Sequence, residues 1–262
     1  MPVLQEVCQY LESFAPVALA EDWDNVGLLI GRRERTVERI MTCLTITPES
    51  VQEAIRERAG LIVTHHPFPF RPIKRITNDA TVGSMLLDLI QAGIAVYSPH
   101  TAFDSAAQGI NQQLAEGLQL SNIRPLVAAV EDPAIGSGRW GDYSASKPLA
   151  EVTEMLKQFL SLSQLRVVGE ADKPIRRVAI GCGAAGEFLY QVDRAGTDLL
   201  VLGETNFHTC LEARSQGVAL LLTGHYASER FAVERLANQL RSVWQGVNVW
   251  ASHDETNPFR YA

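Results

Sequence analysis

Short apolar segments followed by histidine recur along this chain. Three of them, at 61–64, 94–97 and 216–221, precede His65 with His66, His100, and His225 respectively. Apolar runs of this length are typical of strands that are buried on both faces of a sheet. Helical patterns separate the runs, and such alternation is typical of parallel strands joined by helices. We therefore predict an α/β protein with mainly parallel sheets flanked by helices.

Local signals set the bounds of these elements. Pro48 favours the start of a helix, and Gly60 and Gly93 directly follow helical patterns. The predicted helices cover 3–14, 48–59, 80–92, 105–117, 148–160 and a segment that ends at 195. The predicted strands cover 28–30, 39–44, 61–64, 94–97, 165–168 and 177–181.

A change of composition indicates two lobes. Residues 131–149 are rich in Gly, Pro and Ser, and we predict an N-terminal α/β lobe at 1–125 and a second at 126–262. The C-terminal segment is expected to pack back on the first lobe. Each lobe contains an apolar strand followed by the pattern His-x-x-x-carboxylate, so the lobes are predicted to be related, with a metal site between them.

Composition argues against several classes of protein. The 262 residues carry a net charge of -7, whereas nucleic-acid-binding proteins usually show a basic footprint. No apolar run reaches the roughly 18 residues that a membrane span needs. The N-terminus lacks the basic and apolar regions of a secretory signal, and the four cysteines are scattered. A cytoplasmic protein without a membrane partner is therefore predicted, and a nucleic-acid partner is disfavoured but stays open.

The residues that carry chemistry follow the predicted strands. They are His65, His66, His100 and His225, together with Asp104 and Glu229. Ligands of open α/β sheets bind at the carboxyl ends of strands. Imidazoles mixed with carboxylates suit divalent Zn, Fe, Mn, Co or Ni, and a bridging carboxylate can hold two ions about 3.5–4 Å apart. The sequence therefore predicts a site for divalent metal ions.

The roles of other polar residues stay open. Glu204 and His208 could line the cavity or cap a helix, and His253 is expected at the surface. The glycine-rich segment at 181–186 favours a tight strand-to-helix turn that faces the metal site over a dinucleotide site. The sequence contains neither a nucleophile elbow nor a P-loop.

Five motifs resemble those of the Nif-three-like family, whose members are often labelled GTP cyclohydrolase I type 2 homologues. They are DWDNVGL at 22–28, VTHHP at 63–67, HTAFD at 100–104, GSGRWG at 136–141 and GHYASE at 224–229. The resemblance runs from about residue 3 to 260. It implies a two-lobed α/β fold with a dinuclear metal site, assembled as a homohexamer that is a trimer of dimers.

The resemblance also implies roles for single residues. One ion would be bound by His66 and Asp104, the other by His65 and His225, and Glu229 would bridge them. His100 would sit beside the site as a proton-transfer residue. Many members carry aspartate where Thr45 stands, so the role of this position stays open.

Two functions are compatible with these residues. In the first, two metal ions activate water to hydrolyse a small molecule, such as a nucleotide, an amide or a phosphoester, while His100 shuttles protons. In the second, the protein binds metal without catalysis, as a store or a regulatory scaffold. The sequence favours the hydrolase and leaves the metal and the substrate open.

Overall fold

The computed structural model describes residues 1–129 and 132–260, with the backbone alone at 193–195. The helices are α1 (Leu4–Phe14), α2 (Pro48–Arg56), α3 (Thr81–Ala92), α4 (His100–Ser105), α5 (Ile110–Gly117), α6 (Leu149–Leu160), α7 (Leu189–Ala195), α8 (Phe207–Ser215) and α9 (His225–Val243). The strands are β1 (Gly27–Ile30), β2 (Arg39–Cys43), β3 (Leu61–Thr64), β4 (Ala95–Ser98), β5 (Ser121–Arg124), β6 (Val127–Ala128), β7 (Gly136–Ser137), β8 (Arg139–Pro148), β9 (Arg166–Val168), β10 (Pro174–Gly181), β11 (Leu199–Leu202), β12 (Ala219–Leu222) and β13 (Asn248–Ala251). The predicted α/β class is confirmed.

The chain forms two compact units. The first contains Met1–Phe103 and Ala232–Ala262, and the second contains Asp104–Phe231. The chain thus leaves the first unit after Phe103, whereas the sequence placed the division at 125. The C-terminal segment joins the first unit because β13 pairs in parallel with β2.

The first unit is built on a five-stranded sheet with the order β1-β4-β3-β2-β13. β1 is antiparallel to β4, and the other neighbours are parallel. Every residue of β3 and β4 is buried, which explains their apolar sequences. The core packs Val51 of α2 and Leu89 of α3 with Ile62 and Val96 of the sheet. Parallel pairing brings the carboxyl ends of β2, β3 and β4 to one edge.

The second unit contains a six-stranded sheet with the order β5-β8-β10-β11-β12-β9. Its centre, β10, β11 and β12, is parallel, whereas β5, β8 and β9 pair antiparallel. The segment at 131–149, predicted as the lobe boundary, contains the ten-residue strand β8 instead, and its first residue lies outside the described part. Within residues 1–129 and 132–260, no helix has the length and apolar character that a membrane span requires.

A buried carboxylate secures the turn that follows β13. Glu53 of α2 is fully buried and accepts hydrogen bonds from Trp250 Nε1 at 2.9 Å and from the hydroxyl of Ser252. The backbone N–H groups of His253 and Asp254 also donate to it, at 3.0 and 3.1 Å. Burial alone would raise the pKa of Glu53, but these donors together lower it below 4.5.

We expect Glu53→Gln to lower the free energy of unfolding by about 3 kcal/mol near neutral pH. The amide keeps one acceptor oxygen, but its NH2 group faces hydrogen-bond donors that the second carboxylate oxygen had accepted. The folded-state pKa is depressed, so the contribution of Glu53 is present above 4.5 and is lost as the pH falls below that value. Urea unfolding between pH 7 and pH 3 should therefore show the two proteins converging in acid. The exposed Glu49 of the same helix gives the control, since Glu49→Gln should change stability much less than Glu53→Gln. A constant difference at all pH values would contradict the prediction.

Candidate metal centre

Three histidines meet at the carboxyl ends of β3 and β4 in the first unit. His65 and His66 follow β3 directly, and His100 opens α4. The ring centroid of His100 lies 5.2 Å from that of His65 and 5.5 Å from that of His66. One ligand nitrogen from each residue falls within 4.8 Å of the other two, so this group could hold a metal ion. His65 and His100 are buried and His66 is half-buried, which limits competition from water.

A carboxylate orients His100. Its Nδ1 lies 2.8 Å from Oδ1 of Asp24, and Oδ2 accepts the backbone N–H of Thr101 at 3.1 Å as well as its hydroxyl. Burial would raise the pKa of Asp24, but these hydrogen bonds lower it to about 2, so the carboxylate is charged at neutral pH. The backbone φ of His100 is +27°, a strained value for a residue with a side chain. Such strain concentrates at functional sites.

Thr45 orients His66. Its hydroxyl oxygen lies 2.6 Å from Nδ1 of the imidazole. The buried carboxylate of Glu255 accepts the backbone N–H groups of Leu44 at 2.8 Å and Thr45 at 2.6 Å, which fixes the segment after β2. The position whose role the sequence left open therefore contacts a candidate metal ligand.

The second unit contributes a histidine and a carboxylate on one turn of α9. His225 opens the helix and Glu229 follows four residues later, with Nε2 and Oε2 3.2 Å apart. Nδ1 of His225 donates to Oε1 of Glu204 at 2.9 Å. Glu229 raises the pKa of His225 most, burial lowers it, and Glu204 adds to the rise, so that the pKa is about 9. A divalent ion competes with this proton, because only the neutral imidazole binds metal.

Asp104 lies against the loop that follows β10. Sγ of Cys182 donates to Oδ1 of Asp104 at 3.1 Å, and Nδ2 of Asn111 donates to the backbone carbonyl of Asp104 at 3.2 Å. Burial, and then the charges of Asp104 and Glu229, raise the pKa of the Cys182 thiol well above its usual range. The thiol therefore keeps its proton and acts as a hydrogen-bond donor to the carboxylate.

Of the remaining sequence-based candidates, one contacts a candidate ligand and two are exposed. Glu204 contacts His225, whereas His208 is exposed on α8 with its ring beside Phe207. The side chain of His253 is exposed, as expected. Sequence reasoning assigned no role to Asp24 or Cys182; the signals that could have found them were the DWDNVGL motif and the glycine-rich segment at 181–186.

The donors within each unit suit a divalent transition-metal ion. His66, His100 and His225 each direct Nδ1 at a side-chain oxygen, of Thr45, Asp24 and Glu204 respectively. Metal-binding histidines typically use their second nitrogen in this way, which leaves Nε2 oriented toward the ion. Imidazole nitrogens and carboxylate oxygens, without a thiolate, suit Zn, Fe, Mn, Co or Ni.

Known proteins share both the sequence pattern and the fold. The family described as Duf34/NIF3 (NGG1p interacting factor 3) matches residues 2–258. A GTP cyclohydrolase 1 type 2 homolog from Clostridium acetobutylicum is 30% identical over 265 residues, which cover 98% of each chain. NIF3-like protein 1 of Drosophila melanogaster is 35% identical over 231 residues, covering 87% of this chain and 78% of the relative. The crystal structure of the Staphylococcus aureus hypothetical protein SA1388 has a TM-score of 0.89 at 27% identity and covers 99% of both chains. The resemblance seen in the motifs is thus confirmed, and the chain belongs to the Duf34/NIF3 family.

Proposed function

We propose that this protein is a hydrolase that depends on a pair of divalent metal ions. The observation that carries the proposal is the common arrangement of His66, His100 and His225, each held at Nδ1 by a side-chain oxygen. Such partners prepare an imidazole for metal binding or for proton transfer. When bound, two ions of this kind lower the pKa of a water molecule and polarise a carbonyl or phosphoryl oxygen.

The proposed metal ligands come from both units. On the family pattern, His66 and Asp104 would hold one ion, His65 and His225 would hold the other, and Glu229 would bridge them. The burial of Glu229, whose exposed fraction is 2%, supports this assignment because buried carboxylates are usually paired with positive charge or coordinate metals.

His100 is proposed to move protons instead of binding metal. The charged Asp24 holds Nδ1, so the ring can exchange its proton at Nε2 without rotating. Imidazole is the side chain that changes charge near neutral pH, which suits it to both steps of a hydrolysis. In the first unit, the rings of the exposed Trp23 and Phe70 are each T-shaped to this ring, with centroids 5.9 Å apart.

A nucleotide is the first substrate to test. The relatives named GTP cyclohydrolase 1 type 2 homolog suggest opening of a guanine ring, and a flat base could stack on the exposed ring of Trp23. Amides and phosphoesters follow, because two divalent ions activate water for each of these reactions. A homohexameric assembly, as a trimer of dimers, and a cytoplasmic location complete the proposal; light scattering after size exclusion tests the assembly.

The first experiment measures metal content by elemental mass spectrometry on protein purified without a histidine tag. We expect about two ions per chain in the wild type and about one or fewer in His66→Ala, because one nitrogen ligand is lost. The exposed His208 supplies a matched control, and His208→Ala should retain the wild-type content. The metallated wild type is then assayed against nucleotides, amides and phosphoesters.

Each outcome separates the candidate functions. Hydrolysis that disappears in His66→Ala and persists in His208→Ala supports the hydrolase. Full metal content without turnover of any substrate would favour the second candidate, a metal-binding or regulatory protein. A wild type that takes up no divalent metal, even after reconstitution, would refute both.

A further inference from the structure

The loop after β10 approaches the proposed bridging carboxylate more closely than a side chain would permit. Gly183 has φ of +63°, and a β-carbon built on it would lie 2.4 Å from Oε1 of Glu229 and 3.4 Å from Nε2 of His225. Real β-carbons essentially never come within 3.0 Å of a heavy atom outside their own residue and its chain neighbours. The backbone of Gly183 therefore lies directly against the carboxylate, which is itself buried.

Hydrogen bonds fix the position of this loop. The N–H of Gly183 donates to the hydroxyl of Ser228 at 3.0 Å, and its carbonyl accepts the N–H of Glu204 at 2.9 Å. On the far side, a β-carbon at Gly203 would lie 2.5 Å from the same carbonyl oxygen, so the loop after β11 packs closely behind it. A side chain at residue 183 must consequently displace Glu229 instead of the loop.

The preceding residue contacts the other candidate carboxylate of this unit. Sγ of the buried Cys182 donates to Oδ1 of Asp104 at 3.1 Å, and its backbone N–H donates to Oδ1 of Asn111 at 2.8 Å. Asn111 also donates to the carbonyl of Asp104. The thiol and the amide thus hold the side chain and the backbone of Asp104 from one direction.

We propose that Cys182 and Gly183 form a positioning loop, which sets the carboxylates of Asp104 and Glu229 for metal binding through a thiol hydrogen bond and a glycine contact. The inference rests on the proposed function, in which these carboxylates are metal ligands. The loop itself binds no ion. It restricts the orientation of ligands that would otherwise need to be ordered when the metal binds, and partners of this kind typically change metal affinity by 10–100-fold.

The test measures Co²⁺ binding and the visible spectrum of the Co²⁺ protein, because the absorption bands report the geometry of the ligands. Gly183→Ala should weaken Co²⁺ binding about 10–100-fold and alter the spectrum. Gly196→Ala is the matched control: Gly196 has φ of +65°, but among the described atoms outside its chain neighbours none lies within 4 Å of its added β-carbon. The two positions have similar φ values, so the comparison tests the contact that the added β-carbon makes with Glu229 and His225.

Cys182 provides an independent arm. Cys182→Ala removes the donor to Asp104 and should weaken Co²⁺ binding about tenfold, whereas Cys182→Ser restores a donor and should recover most of the affinity. If Gly183→Ala does not fold, as judged by thermal unfolding, the two Cys182 variants test the positioning loop on their own. Wild-type affinity and spectrum in both Gly183→Ala and Cys182→Ala would overturn the positioning loop while leaving the metal centre intact. A wild type that binds no Co²⁺ would overturn the proposed function and this inference with it.

Discussion

Replacing Arg139 by methionine is expected to lower the free energy of unfolding by about 4 kcal/mol. Arg139 is 1% exposed, and burial lowers the pKa of its guanidinium to about 10, so it stays charged at neutral pH. It donates to the carbonyl oxygens of Gly136 (2.6 Å), Gly138 (2.7 Å), Ser105 (3.0 Å) and Ala106 (2.8 Å) and to Oε1 of Gln112 (3.0 Å).

The chemistry of these acceptors explains the size of the effect. A buried ion pair can often be replaced by apolar side chains at little cost, because both partners can be removed together. Four acceptors of Arg139 are backbone carbonyls, which no substitution removes. Each buried carbonyl that loses its donor costs about 1–3 kcal/mol, partly offset by the easier burial of methionine.

Chemical unfolding followed by circular dichroism measures the difference. Arg139→Lys should fall between the wild type and Arg139→Met, because an ammonium group has three donors and lacks the planar fork of the guanidinium. Arg124 on the neighbouring strand β5 is exposed, and Arg124→Met should cost less than about 1 kcal/mol. A loss below 1 kcal/mol in Arg139→Met would show that the carbonyls find other donors.

The position of Arg139 links stability to the candidate site. Ser105 and Ala106, whose carbonyls it binds, directly follow Asp104 in the chain. These contacts explain the glycines of the GSGRWG motif. Because the backbone packs closely at Gly136 and Gly138, the guanidinium reaches the carbonyl of each glycine and the end of α4 at the same time. Loss of this residue should loosen a proposed metal ligand as well as the sheet.

Local sequence signals were sufficient for the elements that hold the histidines. The apolar run before His65 forms β3 with the predicted bounds, because four buried residues without polar interruption suit a central parallel strand. Gly93 ends α3 with φ of +66°, which is the left-handed value that its position after a helical pattern indicates. The two His-x-x-x-carboxylate patterns begin helices at His100 and His225, although the helix predicted near the first pattern began only at 105.

Contacts between distant parts of the chain could not be predicted from such local signals. Asp24 lies 76 residues before His100, and neither residue carries a local feature that pairs them. β13 pairs with β2, which lies more than 200 residues earlier in the chain. The assignment of the C-terminal segment to the first unit therefore depends on the strand order of the sheet. The glycines near Arg139 resemble a linker in composition, yet pairing with β10 makes the following ten residues a strand.

Replacing Glu229 by glutamine is expected to reduce metal content to about one ion per chain or fewer, and to weaken binding of the remaining divalent metal at least about 100-fold. The substitution keeps the shape of the side chain but removes the charge that would neutralise and bridge two cations. It also removes the negative charge that faces Nε2 of His225, which lies 3.2 Å from Oε2 of Glu229. Hydrolysis, where the wild type shows it, should fall in parallel with metal content.

Two further glutamates make this a graded test: Glu204 lies in the same unit as Glu229, and Glu234 lies on the same helix, α9. Glu204→Gln alters only the partner of Nδ1 of His225, so metal binding should weaken about tenfold, the effect of a residue that orients a ligand. Glu234 is exposed on α9, and Glu234→Gln should leave binding unchanged. Titration with Zn²⁺ or Mn²⁺ by calorimetry should give the order Glu229, Glu204, Glu234 for loss of affinity. Equal affinities in all three variants would show that the carboxylate of Glu229 is not a ligand, and the buried pair with His225 would then serve the fold alone.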